Sequence, residues 1–99
     1  MLLITGTFRI APDNFTDALP VMARMIAASR GEDGCLDYSY AADLLEPGLI
    51  RVTERWRDQD TLDAHLTSDH LVEWRAAWPA LGIHARDLSL HEIADTRSF

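Results

Sequence analysis

Cys35-Leu36-Asp37-Tyr38-Ser39-Tyr40-Ala41-Ala42, then Glu46-Pro47-Gly48, then Leu49-Ile50-Arg51-Val52-Thr53-Glu54-Arg55-Trp56 is the stretch on which the fold turns. Both flanks have a period of two. Leu36, Tyr38 and Tyr40 alternate with Cys35, Asp37 and Ser39, while Ile50, Val52 and Trp56 share one side of the second run. Aromatic and β-branched residues at that period specify pleated strands, and the connection between them is short turn chemistry. An antiparallel hairpin is therefore predicted over 35–42 and 49–56.

Upstream, residues 2–10 form a third β-rich run with Leu2, Ile4, Phe8 and Ile10 on one face. Gly6 interrupts that face, which marks a bulge or a close approach. Phe15, Leu19, Met22, Met25 and Ile26 then recur at helical spacing, predicting an amphipathic helix over 14–30. Pro20 should kink that helix or delay its regular start, and Arg30-Gly31 closes it. Downstream, Asp58 or Asp60 can cap a short helix carrying Leu62, His65 and Leu66. Asp69 can cap a further segment with Leu71, Trp74, Trp78 and Leu81, ended by Pro79 and Gly82. Residues 83–93 read as a last strand, and the tail from Asp95 is polar, although Phe99 could dock.

The order is βαββαβ, which suits a single α+β domain over 1–99 with a four-stranded antiparallel sheet and helices on one face. The uncovered face would carry Leu2 and Ile4, or Leu88 and Leu90, depending on register. Exposed apolar area of that kind predicts a partner, and a two-fold sheet-on-sheet homodimer would cover it. Composition agrees, because 47% of the chain is apolar while a domain this short buries only about 60–65% of its unfolded surface.

Nine basic residues, all Arg, stand against 16 acidic ones, a net charge of −7. With no basic run to release counterions, nucleic acid and anionic membrane are not expected partners. The absence of Lys excludes Schiff-base chemistry. One cysteine, Cys35, allows no internal disulfide and no CxxC zinc site. No signal-like or membrane-spanning apolar run is present, so a reducing cytoplasm is expected.

Glu54-Arg55-Trp56-Arg57-Asp58, followed by Leu62, His65, Ser68 and His70, forms the pattern E-x-W-x-D-x-x-x-L-x-x-H-x-x-S-x-H. It resembles the antibiotic biosynthesis monooxygenase domain family. Glu32-Asp33-Gly34-Cys35-Leu36-Asp37-Tyr38 resembles that family's E-x-G-C-x-x-Y turn from helix to strand, and the likeness extends over about residues 2–93. The resemblance implies a ferredoxin-like fold that dimerises into an α/β barrel. It also implies cofactor-independent oxidation of phenols, quinols or polycyclic aromatics with O₂. A heme-degrading branch is a poor match, since its early-strand asparagine would fall near Thr5 or Thr7. Fold carries further than reaction in such a resemblance.

The residues themselves offer candidates. Glu54 shares a strand face with Ile50, Val52 and Trp56, where a carboxylate is costly unless partnered. His65, one turn into the next helix, is the expected partner, giving a general base oriented by a carboxylate. A buried pair that only fixes packing is the competing reading. Trp56, Tyr38 and Tyr40 are candidate walls of an aromatic pocket, and Trp74 and His70 candidate contacts, with core packing the alternative for Trp74 and Trp78. A metal site would need His65, His70 and Glu54 to converge, and none is assigned. No Gly-rich phosphate loop indicates a flavin or nicotinamide. The expected function is a homodimeric, cofactor-independent monooxygenase acting on a small quinol or phenol. The alternative is a non-catalytic or stress-associated dimer holding an apolar molecule.

Overall fold

The computed structural model describes all 99 residues, Met1 to Phe99. Period-two segments form four strands: β1 (Leu2–Arg9), β2 (Cys35–Ala42), β3 (Leu49–Trp56) and β4 (His84–Glu92). They make one antiparallel sheet in the order β2-β3-β1-β4. Helix α1 (Phe15–Arg30) follows β1, while α2 (Gln59–Leu66) and α3 (Asp69–Leu81) follow β3. The ferredoxin-like order expected from the sequence is present, with its second helical unit broken in two.

Local chemistry accounts for the breaks. Pro12–Asn14 forms a single 3-10 turn ahead of α1, and the helix then runs through Pro20 to Arg30. Asp58 caps α2 by accepting from the Thr61 N–H at 2.9 Å, and the Thr61 hydroxyl accepts in return from the Asp58 N–H. Ser68, not Asp69, is the N-cap residue of α3. Its hydroxyl donates instead to the His65 carbonyl at 2.6 Å, which ties α3 to the end of α2. Gly82, with φ of 67°, closes α3 in the left-handed conformation, and Pro79 sits inside the last turn rather than ending the helix.

Residues opposite each other in an antiparallel pair share a face, so the register decides what the helices cover. Leu2 faces Trp56, Ile4 faces both Glu54 and Leu90, and Gly6 faces both Val52 and Leu88. All four leucine and isoleucine candidates for the open face therefore point toward the helices. The open face carries Thr5, Thr7, Asp37, Ser39, Arg51, Thr53, Arg55, Asp87, Ser89 and His91, with Leu3, Ala41 and Leu49 its apolar members. The apolar sheet face expected to drive dimerisation is absent. What the helices leave uncovered is β4 itself: α1 packs on β2 and α3, and α2 on β3 and α3, so the edge strand is exposed and Leu90 half-exposed.

Two irregularities re-aim side chains. Between Cys35 and Asp37 the β2–β3 register slips, placing Cys35 opposite Trp56 on the covered face and leaving Leu36 half-exposed. The alternation read across Leu36 fails there because a bulge inserts one residue and inverts parity. A second slip between Thr7 and Arg9 coincides with Ala85 at φ 53°, immediately before Arg86. The polar tail is exposed and Phe99 does not dock. No helix is long and apolar enough to cross a membrane.

At Gly6 the close approach is backbone on backbone: a Cβ would run into the Asp87 carbonyl oxygen and the Leu88 Cα. Gly6→Ala is expected to cost about 2 kcal/mol or more of stability, read as a lowered urea midpoint by far-UV circular dichroism. An unchanged midpoint would show that β4 gives way freely.

Candidate functional site

β3 delivers two site residues to one face at period two. Glu54 and Trp56 are both buried, and the Trp56 indole N–H donates to Glu54 Oε1 at 3.1 Å. Burial pushes the Glu54 carboxyl up from its ordinary value; the Trp56 hydrogen bond and the charges of Arg86 and Arg75 act against that rise.

The capping box starts α2 so that Leu62 and His65 face the sheet. His65 is 1% exposed, its ring centroid 4.7 Å from that of Trp56 and 5.3 Å from that of Tyr38. The expected partnership with Glu54 is not formed. His65 Nδ1 instead donates to the Glu32 carboxylate, at 3.0 Å from Oε2 and 3.2 Å from Oε1. Glu54 spends its hydrogen bond on Trp56, its neighbour on the strand, and the turn after α1 brings Glu32 to the imidazole. Because a carboxylate only accepts, Nδ1 carries the proton and Nε2 keeps its lone pair. Burial pushes the His65 pKa down, opposed by the Glu32 hydrogen bond and charge; at neutral pH the ring is uncharged.

His70 stands on the other side of this carboxylate. Its Nε2 lies 2.5 Å from Glu32 Oε1 and 3.2 Å from the Ser68 hydroxyl, and it borders a solvent-open cleft of about 580 Å³ with Asp33, Asp58 and Asp60. It does not line the aromatic cavity where substrate contact was expected. Donor atoms of Glu32, His65 and His70 lie within 4.8 Å of one another. Two imidazoles and a carboxylate suit a transition-metal ion, and here they also satisfy one another directly. The converging set contains Glu32 in place of Glu54.

Between sheet and helices runs a narrow cavity of about 60 Å³ lined by Tyr38, Tyr40, Glu54, His65, Trp74, Trp78, Arg75 and Arg86, with Ile4 and Leu88 among its apolar members. Trp56 is wholly buried behind His65 and forms no part of this wall; its role as pocket lining is replaced by ring packing and the Glu54 bond. The Tyr38 and Tyr40 hydroxyls are 3.5 Å apart. Burial raises both, Tyr40 to about 12, so each stays protonated near neutrality. Trp74 is buried and Trp78 packs edge-on against it at 6.2 Å between centroids. The Cys35 thiol is pushed up by burial, which removes it as a nucleophile. Arg51, Arg55 and Arg57 form ion pairs with Asp43, Asp37, Asp33 and Asp58, mostly solvated. Sequence reasoning missed Glu32, Arg75 and Arg86. Of these only Glu32 carried a signal, its place in the E-x-G-C-x-x-Y turn.

A model of the antibiotic biosynthesis monooxygenase family matches residues 1–77. The chain is 33% identical over 76 residues to a protein of Mycobacterium tuberculosis that bears a provisional monooxygenase name, covering 74% of this chain and 71% of that one. It is 26% identical over 97 residues to an uncharacterized Synechocystis protein, covering 98% of this chain and 66% of that relative, just under two thirds of its length. Among solved structures, a Deinococcus radiodurans protein provisionally assigned as an antibiotic biosynthesis monooxygenase superposes with a TM-score of 0.92. It is 23% identical, with 100% of this chain and 98% of that chain covered. That likeness establishes the fold.

The tautomer at His65 is open to measurement. In a long-range ¹H–¹⁵N correlation spectrum at pH 7, His65 is expected to show protonated Nδ1 and unprotonated Nε2. It should titrate below the ordinary histidine value of about 6.5. A proton found on Nε2 at neutral pH would refute the assignment.

Proposed function

Because the chain belongs to the antibiotic biosynthesis monooxygenase family, we propose that it oxidises a small aromatic of quinol or phenol type with O₂. In this reading the chemistry takes place in the cavity between sheet and helices. At about 60 Å³ that cavity is smaller than one aromatic ring needs, so binding requires the exposed side chains at its mouth, Arg75 and Arg86, to swing aside. One observation carries this reading: a buried, neutral His65 whose Nδ1 is committed to Glu32 beside an aromatic-lined cavity. Such an imidazole is held in one tautomer with Nε2 free to act as base. The substrate hydroxyl gives its proton to Nε2, and the resulting phenolate is far easier to oxidise than the phenol. For a quinol the balance closes as quinol plus O₂ to hydroxyquinone plus water. One oxygen atom enters the ring, the other leaves as water, and the substrate supplies the four electrons, so the reading needs no external reductant. Glu32 takes the orienting part first given to Glu54. Glu54, buried and raised, is a second proton-handling group, and the Tyr38 and Tyr40 hydroxyls are donors toward substrate oxygens.

The test is oxygen uptake with a reduced naphthoquinol such as menadiol, corrected for autoxidation. His65→Ala is expected to lower kcat by 10²- to 10⁴-fold, the usual worth of a positioned base (about 3–5 kcal/mol of barrier). Since the neutral ring is the active form and its pKa is lowered, kcat/KM should hold through neutrality and fall only below about pH 6.5. Glu32 raises that pKa, so Glu32→Gln should move the acid limb lower still. No acceleration over buffer by protein that nonetheless binds the quinol would favour the non-catalytic holding role instead.

Homodimerisation belongs to the same proposal. Its support is the exposed edge strand β4 with half-exposed Leu90, since unpaired edges invite strand addition, together with the barrel that the family resemblance implies. A cytoplasmic location is part of the proposal as well, supported by the single free thiol of Cys35. Light scattering at micromolar concentration should return twice the 11.1 kDa chain mass; a monomer mass would overturn the dimer.

A further inference from the structure

Two kinds of unspent donor meet in one cavity. Five of the nine arginines (Arg9, Arg51, Arg55, Arg57 and Arg97) are in ion pairs, and Arg30 donates to the Tyr38 carbonyl. Arg24, Arg75 and Arg86 have no carboxylate partner, in a chain with 16 acidic residues, and two of those three line the aromatic cavity. The only buried side-chain nitrogen or oxygen atoms without a hydrogen-bond partner are the indole nitrogens of Trp74 and Trp78, which line it too. Trp74 is 1% exposed and Trp78 half-buried. Orphaned buried donors of this kind call for an explanation, and an acceptor-bearing ligand is one.

The placement has a direction. Arg75 and Arg86 are both exposed and so stand at the rim, whereas His65 and Trp74 are buried at depth. Arg75 follows Trp74 on α3, and Arg86 follows the left-handed Ala85 at the β4 irregularity, where a bulge re-aims a side chain. On β4, Arg86 and Leu90 are exposed and Leu88 is only partly buried. A ring can therefore approach over this face of the sheet between Arg75 and Arg86, while the outer edge of β4 stays free for a partner strand. The one carboxylate in the lining is Glu54, already holding the Trp56 N–H, and two guanidinium charges outnumber it.

We infer that the preferred substrate is an aromatic bearing an anionic acceptor group, such as a carboxylate, beside its oxidisable hydroxyl. Arg75 and Arg86 hold the charge at the rim, and the indole N–H of half-buried Trp78 reaches its oxygens. The inference rests on the cavity being the substrate site proposed above, and it names what that site selects. Guanidinium and indole N–H are donors only, so a neutral hydrocarbon ring leaves all of them unmatched.

Isothermal titration with 1-hydroxy-2-naphthoate and 1-naphthol under anaerobic conditions reads the selection without turnover. The carboxylate is expected to bind at least tenfold tighter to the wild-type chain. Arg75→Gln and Arg86→Gln should each reduce that ratio several-fold, and the double variant should abolish it while leaving 1-naphthol affinity in place. Trp78→Phe, which keeps a ring and drops the N–H, should weaken the carboxylate more than the naphthol. Equal affinity for the two probes, or a preference that survives in the double variant, overturns the inference while the cavity reading stands. Parallel loss of both affinities in the arginine variants also overturns it, because the guanidiniums would then be serving Glu54 and not the ligand. Binding of neither probe to folded wild-type protein refutes the cavity reading itself.

Discussion

One carboxylate lies between two imidazoles, accepting from His65 and in close contact with His70, and much of the architecture is arranged around that fact. Glu32 lies in the turn between α1 and β2, His65 near the end of α2, and His70 in the first turn of α3. The carboxylate therefore brings three chain segments together through their side chains, beside the Ser68 N–H to His65 carbonyl and Arg57 N–H to Gly34 carbonyl bonds of the backbone. Burying an imidazole against an apolar sheet is unfavourable unless its nitrogens are used. Here one nitrogen is used for anchoring, which leaves the other available for chemistry. The break between α2 and α3 serves the same end. Ser68 bonds to the His65 carbonyl and stands beside His70, so the joint sets how the two rings flank Glu32.

The site is also part of the core. Tyr38, Trp56 and Trp74 belong to the single buried cluster that runs from Leu2 to Trp74. In a domain this small, the groups that shape a cavity are the same ones that hold sheet and helices together. Local rules are broken where these duties conflict: a carboxylate on an apolar strand face, indole N–H groups without acceptors, and an alanine in the left-handed region before an arginine. Such departures gather where a fold has been bent toward a task.

Element order was legible from periodicity and punctuation. The hairpin at 35–56, the helical spacing from Phe15 to Ile26 and the glycine after Leu81 each reported a local preference that the packed structure keeps. Pairing across distance was less legible. Glu32 and His65 are separated by 33 positions and no period links them, so spacing pointed to Glu54, the carboxylate on the neighbouring strand. Parity was lost at Leu36 because a bulge leaves no mark in a period-two reading. The open sheet face was misjudged because strand register follows from pairing partners and not from composition. Arg75 and Arg86 were missed because an arginine in a sequence does not announce whether a carboxylate will meet it.

The distribution of the three tryptophans has a consequence outside binding and catalysis. Trp56 packs against His65, and Trp74 and Trp78 against each other beside the same cavity; the chain has no fourth. Its near-ultraviolet emission thus originates wholly at the site. An imidazolium in van der Waals contact with an indole quenches it, so protonation of His65 would dim Trp56, and an aromatic guest would perturb the other two. The molecule carries its own optical gauge, needing no label to show whether the pocket is filled or its base is charged.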